Sequence, residues 1–534
     1  MKKRIAAISL CGILSLSMLF TACNGSEGTE STGDSSRPTI KILTVQRADS
    51  NYPIEEESVV TKAIEEKSGF NMDIEAIEET NYGDIMNTRL AAGLNLPDIM
   101  FTGYSNSLKP AQNGLYLPIN DLIEEHAPNL KSVLYGEFDA VRRMNIAPDG
   151  KLYWVPGIDQ AQYQGQPISA VHGVGIRKDW LDKCSLDVPT TTEELYQALK
   201  AFQENDCNGN GKKDEVFVSW FGFQDVMLAW FGVPQASITI AEDGKAKYIW
   251  NYEHAYDFTA YMRKLYSEKL LDQQIFNLTG ENILKRVTVN RAAAICYWAD
   301  CSGFDAQTGD PNAKYVTMPP LRTDVGTAGA MKLRSSGNTG ANFAITKACN
   351  TDEKKINAIK FMDWFYSQEA RDMVVWGVEG VHCVKNEDGT YSEHPDFKAR
   401  QESDATTVLD DVYDWVPCLP FMRISDWEAN NIKHEGDEDA MARAQESLTI
   451  SLWEESVYAT TDIALPTDEE EKLATQYANE MGTYAIESIT KFINGRDELN
   501  KTTWAAFQNK LFNDFHLQDR LDIYEEQYRR YQEG

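Results

Sequence analysis

The chain has 534 residues, a formal net charge of −31, and 42% hydrophobic and 11% aromatic residues. That length exceeds one core, since domains run about 100–200 residues, so two or three domains are expected. The apolar content excludes a disordered chain, and the acidity excludes a nucleic-acid partner, which needs clustered Lys and Arg.

The chain opens on Lys2, Lys3 and Arg4, a 16-residue apolar run from Ile5 to Phe20, then Thr21-Ala22-Cys23. A basic start, a short apolar core and small residues before a cleavage point read as a bacterial secretory signal. The run is shorter than the ~20 residues that span a bilayer. Cys23 directly after the small residues predicts a lipoprotein signal peptide over 1–22, with Cys23 lipidated and first in the mature chain. Phe20 stands where a lipobox has Leu; the alternative is an ordinary cleaved signal with an incidental Cys23. Residues 24–38, which with Cys23 make up the segment 23–38, then form a Gly/Ser/Thr tether, and 15 such residues span about 20 Å as a coil. The body is expected on the extracellular face of the cell membrane, lipid-anchored.

After the tether, strand and helix signals alternate. TIKILTV (39–45) is β-rich, VVTKAIEEKSG (59–69) puts Val59, Ala63 and Ile64 on one helical side, and NMDIEAIE (71–78) alternates as a half-buried strand does. Tyr82–Ala92 reads as a helix stopped by Gly93, and LPDIMF (96–101) as a third strand. This β-α-β-α-β order predicts a parallel or mixed sheet covered by helices. The stretch 108–134 is partly helical with breaks at Pro110, Pro118 and Pro128, and GKLYWVP (150–156) is extended.

VHGVGIRKDWLDK (171–183) predicts a strand running into a helix. Thr191 and Glu194 form a capping box, behind which Leu195, Ala198, Leu199 and Phe202 share one buried helical face. RAAAICYWA (291–299) reads as a buried strand, EKKINAIKFMDWFYS (353–367) as an amphipathic helix, and helical periodicity dominates from Pro466 onward. Seven cysteines besides Cys11 and Cys23 are scattered without a CxxC, so buried free thiols are expected rather than a disulfide framework. A single bridge from Cys296 to Cys301 stays open.

The sharpest local motif is DCNGNGKKDE (206–215). Asp206, Asn208 and Asn210 alternate, Gly211 permits a tight turn, the backbone of Lys212 can add a carbonyl, and Asp214 and Glu215 follow. Alternating oxygen donors converging on one hard cation are what Ca²⁺ takes. An EF-hand loop has Glu at its twelfth position; Phe217 stands there, and VFVSW (216–220) reads as a strand. The loop is therefore an EF-like one joining helix to strand, with a structural calcium; the alternative is a polar Asn/Gly turn.

In order along the chain, LAAGLNLPDIMF (90–101), NGLYLPINDLIEEHAPNL (113–130), GKLYWVP (150–156) and GIRKDWLDKCSLDVPTTTEELYQALKAF (175–202) lead into the DxNxNGKxDE loop. RAAAICYWAD (291–300), GANFAITK (340–347), WGVEGVH (376–382) and the tail from FINGRDELNKTTWAAF to IYEEQYRRY follow. Taken together these segments resemble the extracellular solute-binding proteins of carbohydrate ABC transporters, closest to the alginate-oligosaccharide-binding lipoproteins. The resemblance covers nearly all of the mature chain. It implies an α/β, two-lobed periplasmic-binding-protein-like fold (type II) with interleaved domains and a central ligand cleft. Lobe 1 would comprise 39–168 plus 305–395 and lobe 2 169–304 plus 396–534, with crossings near Ser169–Ile176 and Tyr297–Tyr315. In that subgroup the equivalent loop holds a structural calcium, and Asp206, Asn208, Asn210, Lys212, Asp214 and Glu215 match it.

A sugar site wants aromatic platforms for C–H faces and polar side chains for hydroxyls. Trp298 is placed at a crossing, its family equivalent lies at the cleft, and it leads the candidates. Trp154 and Tyr163 flank the first crossing, Trp376 and Glu379 surround a Gly-rich turn, and Trp220 follows the loop strand. Trp364 and Trp504 sit on amphipathic helices and are assigned to the core. The expected partners are a carbohydrate and the ABC permease subunits, with the protein a monomer on a Gram-positive cell. The alternatives are a surface lipoprotein that binds glycan or peptide without transport, and an exported carbohydrate-active enzyme. Acidic pairs such as Asp410-Asp411 carry no weight for the latter among 82 acidic residues.

Overall fold

The computed structural model describes residues 36–46, 58–104, 107–163, 166–168, 172–220, 222–234, 236–298, 301–325, 331–334, 336–387, 389, 391–403, 415–416, 418–426 and 457–534. The signal segment, Cys23 and most of the tether lie outside them.

Strand Thr39–Gln46 pairs in parallel with both Asn71–Glu78 and Ile99–Phe101. Two helices make these connections. Val59–Ser68 starts at Ser58, whose hydroxyl accepts the Thr61 N–H, and stops at Gly69 with φ +78°. The side chain satisfies an orphan donor at one end, and the glycine reverses the chain at the other. Glu79–Ala92 begins a turn earlier than expected and also ends on a left-handed glycine, Gly93. Asn338–Ile345 lies antiparallel between Ile99–Phe101 and Val155–Tyr163, and Met422–Asp426 completes the edge in parallel with Val155–Tyr163. The sheet is therefore mixed, and Leu43, Ile99, Val155, Phe343, Phe361, Tyr366 and Trp415 fill the core against it.

A second sheet runs in the order Tyr315–Thr317, His172–Arg177, Ala292–Trp298, Val216–Ser219. Helix Thr192–Glu204 covers it, and the capping box at Thr191 and Glu194 is present. Leu195, Leu199 and Phe202 are fully buried, each contributing about 1.5–3 kcal/mol relative to exposure. The C-terminal helices Ala478–Asn494, Lys501–Asn513 and Leu517–Glu533 bring Met481, Ile489, Phe507, Leu511 and Leu517 into this second core. Trp364 and Trp504 pack on the first and second cores respectively.

Among the described residues the chain lies with the first sheet up to Ile168 and with the second from His172. It lies with the second core up to Leu321 and with the first from Ala341, then alternates from Met422 of the first to Ile463 of the second, Leu465 of the first and Met481 of the second. Between Leu321 and Ala341, strand Met331–Arg334 pairs in parallel with Val457–Thr460, and the latter reaches Ile238–Ile240 of the second lobe. The expected crossing over Tyr297–Tyr315 is thereby corrected. Tyr315–Thr317 pairs antiparallel with His172–Arg177, and Phe304 and Tyr315 pack on the same sheet face as Ile295. Residues 305–321 thus belong with the second core, and Trp415–Met422 with the first. Both assignments reverse the boundaries drawn at 305 and 396. Cys296 lies in the second core and Cys301 in a separate cluster across the sheet, and no disulfide joins them.

Candidate ligand edge and calcium loop

Strands Val216–Ser219 and Ala292–Trp298 run in parallel, so their carboxyl ends open on one edge. Open α/β sheets take ligands at such edges. Trp220 follows the first strand, and its backbone N–H donates to the Cys296 carbonyl at 3.0 Å. Its half-buried indole meets Tyr297 edge-on with ring centroids 5.3 Å apart, and Tyr297 meets Phe304 at 4.8 Å. A Cβ on Gly280 would come within 2.9 Å of the Trp220 ring, so glycine at this position lets helix Gly280–Thr288 start against the indole. Trp298 ends the second strand, paired with His172. Its side chain, like that of Tyr163, lies outside the described residues.

The other aromatic candidates separate from this edge. Trp154 is a correction: it is buried in the first core, with Nε1 donating to Asn145 Oδ1 at 2.7 Å. A ring closed on all sides with its one polar atom satisfied offers nothing to a ligand. Trp154→Phe is expected to cost about 1–3 kcal/mol by stranding the Asn145 acceptor, read by chemical denaturation, with ligand affinity unchanged. Reduced affinity at unchanged stability would return Trp154 to the site. Trp376 ends helix Gln368–Trp376 and stacks on Tyr391, centroids 5.4 Å apart, in the first lobe; Glu379 is exposed in the turn beyond. His382 is buried, its Nδ1 accepting the Val378 N–H.

One polar pair escaped sequence reasoning. Arg423 and Asp159 are register partners on adjacent strands, and the guanidinium grips the carboxylate through both Nε, at 3.0 Å, and a terminal nitrogen. Both are about 30% exposed. Tyr297 was likewise missed, since it reads as one more residue of a buried run.

The loop 206–215 joins helix Thr192–Glu204 to strand Val216–Ser219, as expected of an EF-like loop that is not an EF-hand. Asp206, Gly209 and Gly211 take φ values of +46°, +70° and +78°, which coil the segment tightly. Asp206 accepts the N–H groups of Asn210 and Gly211 at 3.0 and 2.9 Å, and Asn208 and Asn210 accept those of Asn210 and Lys212. Asp214 Oδ1 accepts both side-chain amides, from Asn208 and Asn210, at 2.9 Å each. Outside the loop, Arg291 pairs with Asp214 at 3.1 Å.

Glu215 tests the fit to a cation. Its side chain is fully buried, it accepts the Asn208 and Asp214 N–H groups at 3.2 Å, and no ion pair reaches it among the described residues. Burial first, and Asp214 besides, push its carboxyl above the usual range. A buried carboxylate without a counter-charge, inside a turn of five oxygen-bearing side chains, fits a hard cation. Among the described residues no three His, Cys, Asp or Glu side chains form a metal cluster, so the amide oxygens of Asn208 and Asn210 and the Lys212 carbonyl would have to join the carboxylates.

The sequence model of bacterial extracellular solute-binding proteins matches residues 52–372. The fructooligosaccharide ABC transporter substrate-binding protein FusA of Streptococcus pneumoniae is 27% identical over 402 residues, 71% of this chain and 70% of its own. The lipoprotein LipO of Bacillus subtilis is 23% identical over 71% of this chain and 73% of its own. Among solved structures, alginate-binding AlgQ2 without calcium ion superposes with a TM-score of 0.72 at 22% identity, covering 92% of this chain and 98% of its own. FusA as an EF-hand mutant with fructo-nystose superposes at 0.73 and 20% identity, covering 93% and 99%. The fold is that of these two-domain binding proteins. With the family match spanning more than half of its residues, this chain belongs to the bacterial extracellular solute-binding proteins.

Proposed function

We propose that the protein captures an oligosaccharide between its two lobes and delivers it unchanged to an ABC permease. The observation that carries this is the aromatic edge of Trp220 and Tyr297 at the carboxyl ends of two parallel strands. A half-buried indole there offers a flat apolar platform of the kind a sugar C–H face takes. Trp298, at the end of the strand that carries Tyr297, Tyr163, at the end of strand Val155–Tyr163 in the first sheet, and Trp376 and Glu379 of the first lobe are the further candidates for the same ligand. The fructooligosaccharide and alginate ligands of the two named relatives support a sugar over other solutes.

The loop 206–215 holds a structural calcium through Asp206, Asn208, Asn210, the Lys212 carbonyl, Asp214 and Glu215. Cys23 carries the lipid that keeps this monomer at the outer face of a cell without an outer membrane, a reading that the lipoprotein LipO supports. Calorimetric titration of an oligosaccharide panel tests the function. One sugar is expected to bind, to be recovered unhydrolysed, and to lose about 10-fold or more in affinity in Trp220→Ala, the ~1.4 kcal/mol of a stacked aromatic. Release of shorter sugars, or equal affinity in the variant, would refute the corresponding part.

A further inference from the structure

We propose that Cys184 and Cys207 form a disulfide in the exported protein, stitching the end of helix Lys178–Lys183 to the turn that opens the loop 206–215. Their sulfurs stand 3.6 Å apart. The same two segments are already joined by Lys183, whose ammonium donates to the carbonyls of Asp206 and Cys207 at 3.1 and 3.3 Å. Each cysteine is also anchored to a helix end: the Cys184 N–H donates to the Trp180 carbonyl, and the Cys207 N–H to that of Phe202.

The chain reversals that aim the two thiols at each other are built in. Ser185 and Asp206, each next to one of the cysteines, sit at φ +57° and +46°, a region non-glycine residues seldom enter. Other thiols in the fold face oxygen: Cys349 reaches the Asp98 carbonyl and carboxylate, and Cys383 the Gly377 carbonyl. Of the seven cysteines in the described residues, only Cys184 is half-buried and the other six are buried, so it is the one that meets an oxidant first. An extracellular compartment is where such a bond forms and persists. The sequence expectation is of buried free thiols with one open bridge, Cys296 to Cys301, and the pair 184 and 207 is not among its candidates.

The oxidant is a small-molecule disulfide. The Cys184 sulfur, having lost its proton, attacks one of its sulfurs; that S–S bond breaks, one thiol leaves, and a mixed disulfide remains on Cys184. Cys207, losing its proton in turn, attacks the Cys184 sulfur and expels the second small thiol. Two protons and two electrons pass from the protein to the reagent, which becomes two thiols. The closed ring runs from 184 to 207 and encloses the whole of helix Thr192–Glu204.

The test uses the full chain with oxidised glutathione, once in chelator and once in calcium, so that the thiol pair is scored whether or not the loop takes calcium. Non-reducing peptide mapping is expected to show the peptides of Cys184 and Cys207 linked and two hydrogens lighter than their sum. The oxidised protein should melt about 5 °C or more above the reduced one, and Cys184→Ser should lose both the link and the rise. Recovery of both thiols as alkylated products, a stable glutathione adduct on Cys184 with Cys207 free, or the same rise in Cys184→Ser would each overturn the proposal.

Discussion

Calcium at about a thousand times its dissociation constant is expected to stabilise the protein by about 4 kcal/mol relative to chelator. On a lobe of this size that raises the melting temperature by roughly 8–16 °C. The gain would arise at Glu215, whose carboxylate is fully buried with only backbone donors around it. Without a cation the loop carries that desolvation uncompensated. With one, Glu215, Asp206 and Asp214 gain a common counter-charge, and Asn208 and Asn210 turn their oxygens inward. Asp206→Ala should remove most of the calcium-dependent rise; it also lowers the melting point in chelator, because the Asn210 and Gly211 N–H groups lose their acceptor, so the readout is the difference between the two conditions. Differential scanning calorimetry in millimolar calcium and in chelator measures this; coincident curves would sink the calcium assignment.

Arg177→Ala is expected to cost about 3 kcal/mol. Its guanidinium is fully buried and grips Asp179 through two bonds at 2.8 and 2.6 Å, reaches Asp310 at 3.3 Å, and also bonds Asn290. It lies over the Trp180 ring at 4.2 Å. Removing one partner of a buried pair costs 3–5 kcal/mol, roughly, because the other charge is left behind. The lower end applies, since Asp179 and Asp310 keep 18% and 28% of their side-chain surface in water. Urea unfolding followed by circular dichroism reads the loss. A change below about 1 kcal/mol would mean that the two carboxylates resolvate freely.

Local chemistry made much of this fold legible. Ser58 with Gly69, Thr191 with Glu194, and the four apolar positions from Leu195 to Phe202 each state a helix boundary or face within a few residues. The β-α-β-α-β order of 39–101 likewise implied its own parallel pairing. What failed was long-range. YVT reads as a strand, but nothing near it says that His172–Arg177, more than a hundred residues upstream, is its partner. Trp154 failed for a related reason: a tryptophan's identity does not reveal which side of the backbone is closed, and Asn145, which satisfies it, sits on a short helix without a periodic link to it. The Asp159–Arg423 pair, 264 positions apart, had no local signal at all. The loop 206–215 was legible as a turn joining helix to strand because its oxygen-bearing side chains all come from ten consecutive residues.

The two connecting strands Met331–Arg334 and Val457–Thr460 lie side by side in register over four residues each. A hydrogen-bonded ribbon of that kind behaves as a leaf spring. It yields to bending across its face but resists twisting and sliding, because either would break the ladder between the strands. Any motion of one lobe against the other would thereby be confined close to a single swing. A ligand that stops that swing gives up little orientational freedom of the lobes, which lets a modest number of contacts hold a long, polar molecule.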